Sequence, residues 1–88
     1  MTSIKLSDRQ QFALLALDRL GTPVGGPKLA EVMTAIGRET STAAAHQAAN
    51  GLAAKKLAVK GYLANGDHIK YEITNEGRRV AARLRGAS

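Results

Sequence analysis

Cysteine is absent from this 88-residue chain. With it go disulfides, thiolate metal sites and thiol nucleophiles. Aromatic side chains are nearly absent too: Phe12, Tyr62 and Tyr71 are the full set. A core must therefore be built from Leu, Ile, Val and Ala. No apolar run reaches the roughly 18 residues that suggest a membrane-spanning helix. The opening "MTSIKLSD" lacks the apolar stretch of a secretion signal. We therefore expect a cytoplasmic protein. Catalytic patterns are missing as well. No nucleophile–base pair is recognisable, and the glycine-rich "GTPVGGP" lacks the Lys-Ser/Thr of a phosphate-binding loop. His46 and His68 with Asp67 would meet around a metal only by chance of folding. We expect no enzyme, no cofactor, no metal and no small-molecule ligand.

Positive charge is what the chain does have. The net charge is +6 and it is unevenly placed. Residues 1–50 hold five Lys/Arg and four Asp/Glu; residues 51–88 hold eight and three. A one-sided surplus suits a polyanionic partner, most simply nucleic acid, or else serves solubility alone. The length fits a single domain over residues 1–88. A domain this small buries only about two-thirds of its unfolded surface, which leaves room for a dimer interface to add burial.

Helical spacing dominates the first two-thirds. In "LSDRQQFALLALDRLG", Ser7 and Gln10 form a capping-box pattern, Ala13, Leu14, Leu17 and Leu20 recur on one face, and Gly21 is a stop. This predicts a helix over 8–20. Val24 is expected in a very short strand. Pro27 suits the first position of a second helix, ended by Gly37. Thr40 or Ser41 can cap a third helix over 42–56. Its inner face would be Ala45, Ala48, Ala49 and Leu52; its outer face Thr42, Ala43, His46, Gln47 and Asn50. Gly51 inside it suggests close helix packing or a break. The stretch from Thr40 to Ala54 carries no Lys, Arg, Asp or Glu.

From Leu57 the period changes from 3.6 to 2, and "LAVKGYLANGDHIKYEIT" reads as a β-hairpin. A two-residue Asn65-Gly66 loop would pair Val59 with Glu72, setting apolar against polar. A three-residue loop, Ala64-Asn65-Gly66, pairs Leu57 with Ile73 and Val59 with Tyr71 and keeps one face apolar. The second register is the expected one. It also sets Lys60 opposite Lys70 and Tyr62 opposite His68. A like-charge pair gains nothing in the free protein, and a phosphate beside it would reverse the sign. Thr74 then caps a last helix with Glu76 in its first turn, the basic residues Arg78, Arg79, Arg83 and Arg85, and an apolar stripe of Val80, Ala81 and Leu84.

The order is helix, short strand, helix, helix, hairpin, helix. The chain thus resembles the winged helix-turn-helix regulators of the MarR and PadR kind over nearly its whole length. The segments that carry the likeness are "LAEVM", "LAAKKLAVK" and "YEITNEGRRVA", the last similar to the family's Tyr-x-Leu-Thr-x-x-Gly-Arg pattern. The likeness implies an α+β, mostly α, winged-helix domain that binds double-stranded DNA as a homodimer. Two departures are visible. The wing reads Asp67-His68-Ile69-Lys70 where MarR wings usually carry Asp-x-Arg, and "AIGRETS" is a longer turn than usual.

In such a fold the third helix enters the major groove. The implied base-reading residues are Ser41, Thr42, Ala43, His46, Gln47 and Asn50, with Gln47 and Asn50 suited to adenine and Ala43 to a thymine methyl. Backbone and wing contacts would fall to Lys28, Arg38, Lys55, Lys60, His68 and Lys70. A dimer stripe is expected at Ile4, Leu6, Val80, Ala81 and Leu84. Two functions stay open. One is a transcriptional regulator or a phage or plasmid DNA-organising factor. The other is a protein-interaction module in a larger complex, with the alanine-rich third helix as a dimer seam. His46 read alone is an ordinary surface histidine, and the C-terminal arginines a solvated face.

Overall fold

Ser7 starts the first helix by closing both halves of a capping box. Its hydroxyl accepts from Gln10 N–H at 3.1 Å, and Gln10 Oε1 accepts from Ser7 N–H at 3.1 Å. Such a cap contributes about 1 kcal/mol. The computed structural model describes residues 5–62 and 69–86. Among them the elements run α1 (Asp8–Leu20), α2 (Gly26–Ala35), α3 (Thr42–Ala54), β1 (Ala58–Tyr62), β2 (Ile69–Ile73) and α4 (Asn75–Gly86). Gly21, left-handed at φ 69°, ends α1 where expected.

The second helix begins one residue earlier than its proline suggested. Gly25 is the N-cap and Gly26 leads, so Pro27 takes the second position. It is still in the first turn, where its missing N–H leaves no bond unmade. At the other end Arg38 N–H reaches Met33 O at 2.9 Å across Gly37, whose φ of 118° needs glycine.

Helix α3 stops at Ala54, short of the expected Lys56. Leu57 N–H bonds Leu52 O at 2.9 Å and Lys56 N–H bonds Ala53 O at 3.0 Å. That pair of bonds is a Schellman ending, which glycine usually marks. Here Lys56 occupies the left-handed position at φ 64°. Without a glycine the boundary left no trace in the sequence.

This ending also overturns the expected hairpin register. Ala58 pairs with Ile73, Val59 with Glu72, Lys60 with Tyr71, Gly61 with Lys70 and Tyr62 with Ile69. Leu57 is fully buried, but as the apolar residue that follows the Schellman turn, not as a strand position. Counting it into the alternation shifted the parity by one. Val59 is 52% exposed, and the expected Lys60–Lys70 and Val59–Tyr71 pairs do not form. Tyr62 pairs with Ile69 and not with the expected His68, and the Ala64-Asn65-Gly66 loop lies outside the described residues.

Val24 makes the short strand that was expected. It bridges Tyr71 with two bonds, Val24 N–H to Tyr71 O at 3.0 Å and Tyr71 N–H to Val24 O at 2.8 Å. The α1–α2 connection is thereby tied to the hairpin. The core lies between these parts: Leu14 and Leu17 of α1, Leu29 and Met33 of α2, Leu52 of α3, then Leu57 and Tyr71. Ala45 and Ala49 are fully buried and Ala48 nearly so. Small side chains on that face let α3 sit close against α1 and α2.

Candidate nucleic-acid interface

Helix α3 splits cleanly between two jobs. Ala45, Ala48 and Ala49 are taken up by the chain's own core, so the inner face is not a seam for a second copy. Thr42, Ala43, Gln47 and Asn50 are exposed on the opposite side, and His46 is half-buried. Ser41 begins the helix as its N-cap, its hydroxyl accepting from Ala44 N–H at 3.2 Å. Thr40 is buried, its hydroxyl donating to Arg38 O at 2.7 Å. The expected outer face is therefore present and turned to solvent, with Ser41 engaged in capping.

Two of its members are not simple surface groups. His46 Nδ1 lies 2.8 Å from Tyr71 Oη, and the two rings meet edge to face with centroids 5.6 Å apart. Tyr71 Oη also donates to Asn50 Oδ1 at 3.3 Å. Tyr71, fully buried on β2, thus joins side chains one helical turn apart on α3. Sequence reasoning assigned Tyr71 only to the apolar face of the hairpin. Its partners are 25 and 21 residues away, a separation no periodicity reveals.

The basic residues disperse more than expected. Lys55 Nζ donates to Lys5 O at 2.8 Å and to Gln10 Oε1 at 3.0 Å, which fastens the end of α3 to the start of α1. Arg38 Nε lies 3.5 Å from Asp8 Oδ2. Lys28, exposed in the first turns of α2, lies 3.6 Å from Glu31. Lys60 is exposed and Lys70 half-buried, on opposite faces of the ribbon. His68 is outside the described residues. Arg9, not anticipated, shares a shallow depression of about 150 Å³ with Ser7, Gln10, Gln47 and Ala48. A cation from α1 therefore stands beside Gln47.

The expected dimer stripe needs correction. Ala81 is fully buried and Val80 is 7% exposed, both within the single chain, so neither can lend area to a partner. Leu6 and Leu84 are half-buried against the core, and Ile4 lies outside the described residues. Among the described residues apolar surface is left open elsewhere, at Val59 and in a groove of about 340 Å³ lined by Phe12, Leu15 and Ile36 with Arg19 and Arg85. Arg85 pairs with Asp18 at its rim.

Among solved structures the arrangement has close counterparts. A single-site mutant of Lactococcus lactis ZitR superposes with a TM-score of 0.76 at 21% identity, covering 98% of this chain and 55% of that one. A further ZitR structure is described as a zinc-responsive MarR family member. YusO from Bacillus subtilis gives 0.76 at 22% identity over 92% of this chain and 54% of that one. The adhesin competence repressor AdcR from Streptococcus pyogenes gives 0.74 at 18%, over 94% and 57%. The fold is a MarR-type winged helix. Its likeness to those proteins, at such identities, is one of fold. This winged helix spans just over half the length of each of those chains. No protein-family pattern matches the sequence, and no curated protein matches it. Among the described residues, no group of three His, Cys, Asp or Glu is placed to hold a metal ion. No helix there is long and apolar enough to cross a membrane.

Proposed function

We propose that this chain is a DNA-binding transcriptional regulator that binds duplex DNA as a homodimer. Helix α3 enters the major groove, and the β1–β2 hairpin lies against the backbone. The observation that carries the reading is the division of α3. Ala45, Ala48 and Ala49 are buried inside the chain, while Thr42, Ala43, Gln47 and Asn50 form an uncovered, largely polar face. Polar side chains on a groove-sized helix suit base edges, and Gln and Asn suit adenine. The +6 charge supports attraction to phosphate. Regulation is favoured over DNA organisation by the neighbours, one of which is described as a competence repressor and another as a probable transcriptional regulator from Pseudomonas aeruginosa.

The alanines of α3 contribute little affinity themselves, and no Arg or Lys stands on its outer face. Discrimination between sites is therefore expected near the low end of the usual ~10³–10⁷ range. The deciding experiment is a gel shift on random-sequence duplex DNA at low and moderate salt. A retarded species that weakens as salt rises is the expected result. No retarded species at either salt overturns the proposal, and a protein-interaction module becomes the better reading.

A further inference from the structure

We propose that Tyr71 is a positioning residue for sequence recognition: its buried hydroxyl fixes the orientation of the Asn50 carboxamide that faces the DNA. The inference rests on the DNA-binding reading above and concerns how that face is set.

A tyrosine hydroxyl has one proton to give. In this structure it goes to Asn50 Oδ1 at 3.3 Å. With the Nδ1–H tautomer of His46 the chain runs one way: His46 Nδ1–H to Tyr71 Oη at 2.8 Å, and Tyr71 O–H to Asn50 Oδ1. An exposed asparagine free of such a tie flips its amide at little cost. Here a flip would turn Nδ2 toward the phenol, and the tyrosine proton would then have to swing to His46 Nδ1 and the imidazole change tautomer, so the amide turns only if the whole chain reverses. In the direction drawn, Asn50 keeps Oδ1 inward and presents Nδ2 outward, with one lone pair of Oδ1 still available. A purine N7 in the major groove accepts from such a donor, and adenine N6 can give to the remaining lone pair.

The far end of the chain is held as well. His46 Nε2 rests against the first turn of α2. A Cβ placed on Gly26 would collide with Nε2 and lie 2.6 Å from Cδ2 and 2.7 Å from Cε1. Tyr71 itself is pinned by the two bonds to Val24 and is fully buried. The amide on the surface is thus indexed to three elements of the fold: α2 through His46, and the Val24 connection and β2 through Tyr71.

The test uses a preferred duplex selected by the wild-type protein from a random library, compared with a scrambled duplex of equal composition. Tyr71→Phe keeps the buried ring and removes the hydroxyl. We expect the ratio of affinities, preferred over scrambled, to fall about tenfold, the scale of one lost hydrogen bond. Affinity for the scrambled duplex and its salt dependence should not change. Gly26→Ala displaces His46 from the same chain and should lower the ratio in the same direction. The coupling is read in the Asn50→Ala background, where Tyr71→Phe should have no further effect. Gln47→Ala, outside the chain, should add its effect in full. Thermal melting of each variant checks that it folds. A preserved ratio in Tyr71→Phe overturns the inference. So does an equal loss on both duplexes, or an undiminished effect after Asn50→Ala. Failure of the wild-type protein to retain any duplex overturns it together with the DNA-binding reading, before any variant is made.

Discussion

A methyl group added at Gly77 would meet backbone. Its Cβ would collide with Leu57 O and lie 2.7 Å from Ile73 Cγ1. Neither can swing aside, because Leu57 O accepts from Thr74 N–H at 3.1 Å and Ile73 is buried. Gly77→Ala should destabilise by about 2–3 kcal/mol despite the ~1 kcal/mol helical advantage of alanine. That is a large share of the roughly 5–10 kcal/mol a domain of this size holds. Gly51 offers the contrast. A Cβ there would meet the amide end of Gln10, a side chain able to move, so Gly51→Ala should cost no more than ~1 kcal/mol. Urea midpoints of the two variants should differ clearly, with Gly77→Ala the lower. Equal midpoints would mean that the Leu57 turn yields more readily than its hydrogen bonds suggest.

Among the elements, α3 ends on a lysine in a conformation that costs an L-residue roughly 1 kcal/mol. Lys56→Gly should therefore raise stability by about 0.5–1 kcal/mol, read as a higher urea midpoint. No gain would mean that the Lys56 stem packs well enough to offset the strain. The same position shows where the sequence was readable and where it was not. The start of α1 was legible because Ser7 and Gln10 carry a chemical signature. The inner face of α3 was legible because Ala45, Ala48, Ala49 and Leu52 repeat at the helical period. The hairpin register was not, because burial of Leu57 by a turn looks the same in sequence as burial by a strand. Correcting it changes what the hairpin lysines can do. Lys60 faces the same side as Tyr71, and Lys70 the side of Gly61. They cannot share one phosphate. A single substitution, Lys60→Ala or Lys70→Ala, should lower the slope of log affinity against log salt by about 0.9 per protomer. The other should leave it unchanged. Fluorescence anisotropy at several salt concentrations separates the two, and two unchanged slopes would remove the hairpin from the DNA backbone.

For the whole molecule, the revised apolar surface bears on assembly. With Val80 and Ala81 enclosed, the proposed homodimer is expected to gain burial at the groove of Phe12, Leu15 and Ile36. We expect sedimentation at micromolar concentration to give a dimer, and Ile36→Ser to shift it toward monomer. A wild-type monomer under those conditions would refute homodimerisation through this face. Little of this was visible beforehand, since no spacing in the sequence links Phe12 to Ile36, and only their packing leaves them half-covered side by side. The Val24 bridge has a mechanical consequence. Two backbone bonds clamp the hairpin at Tyr71 to the α1–α2 connection, so the ribbon behaves as a lever with a fixed fulcrum. Bending is easiest at Gly61, which faces Lys70 and where no described residue lies within 4 Å of the glycine's missing side chain. Amide exchange should be graded accordingly. The Tyr71 and Val24 protons should be lost only on global opening, and the Gly61 proton much sooner.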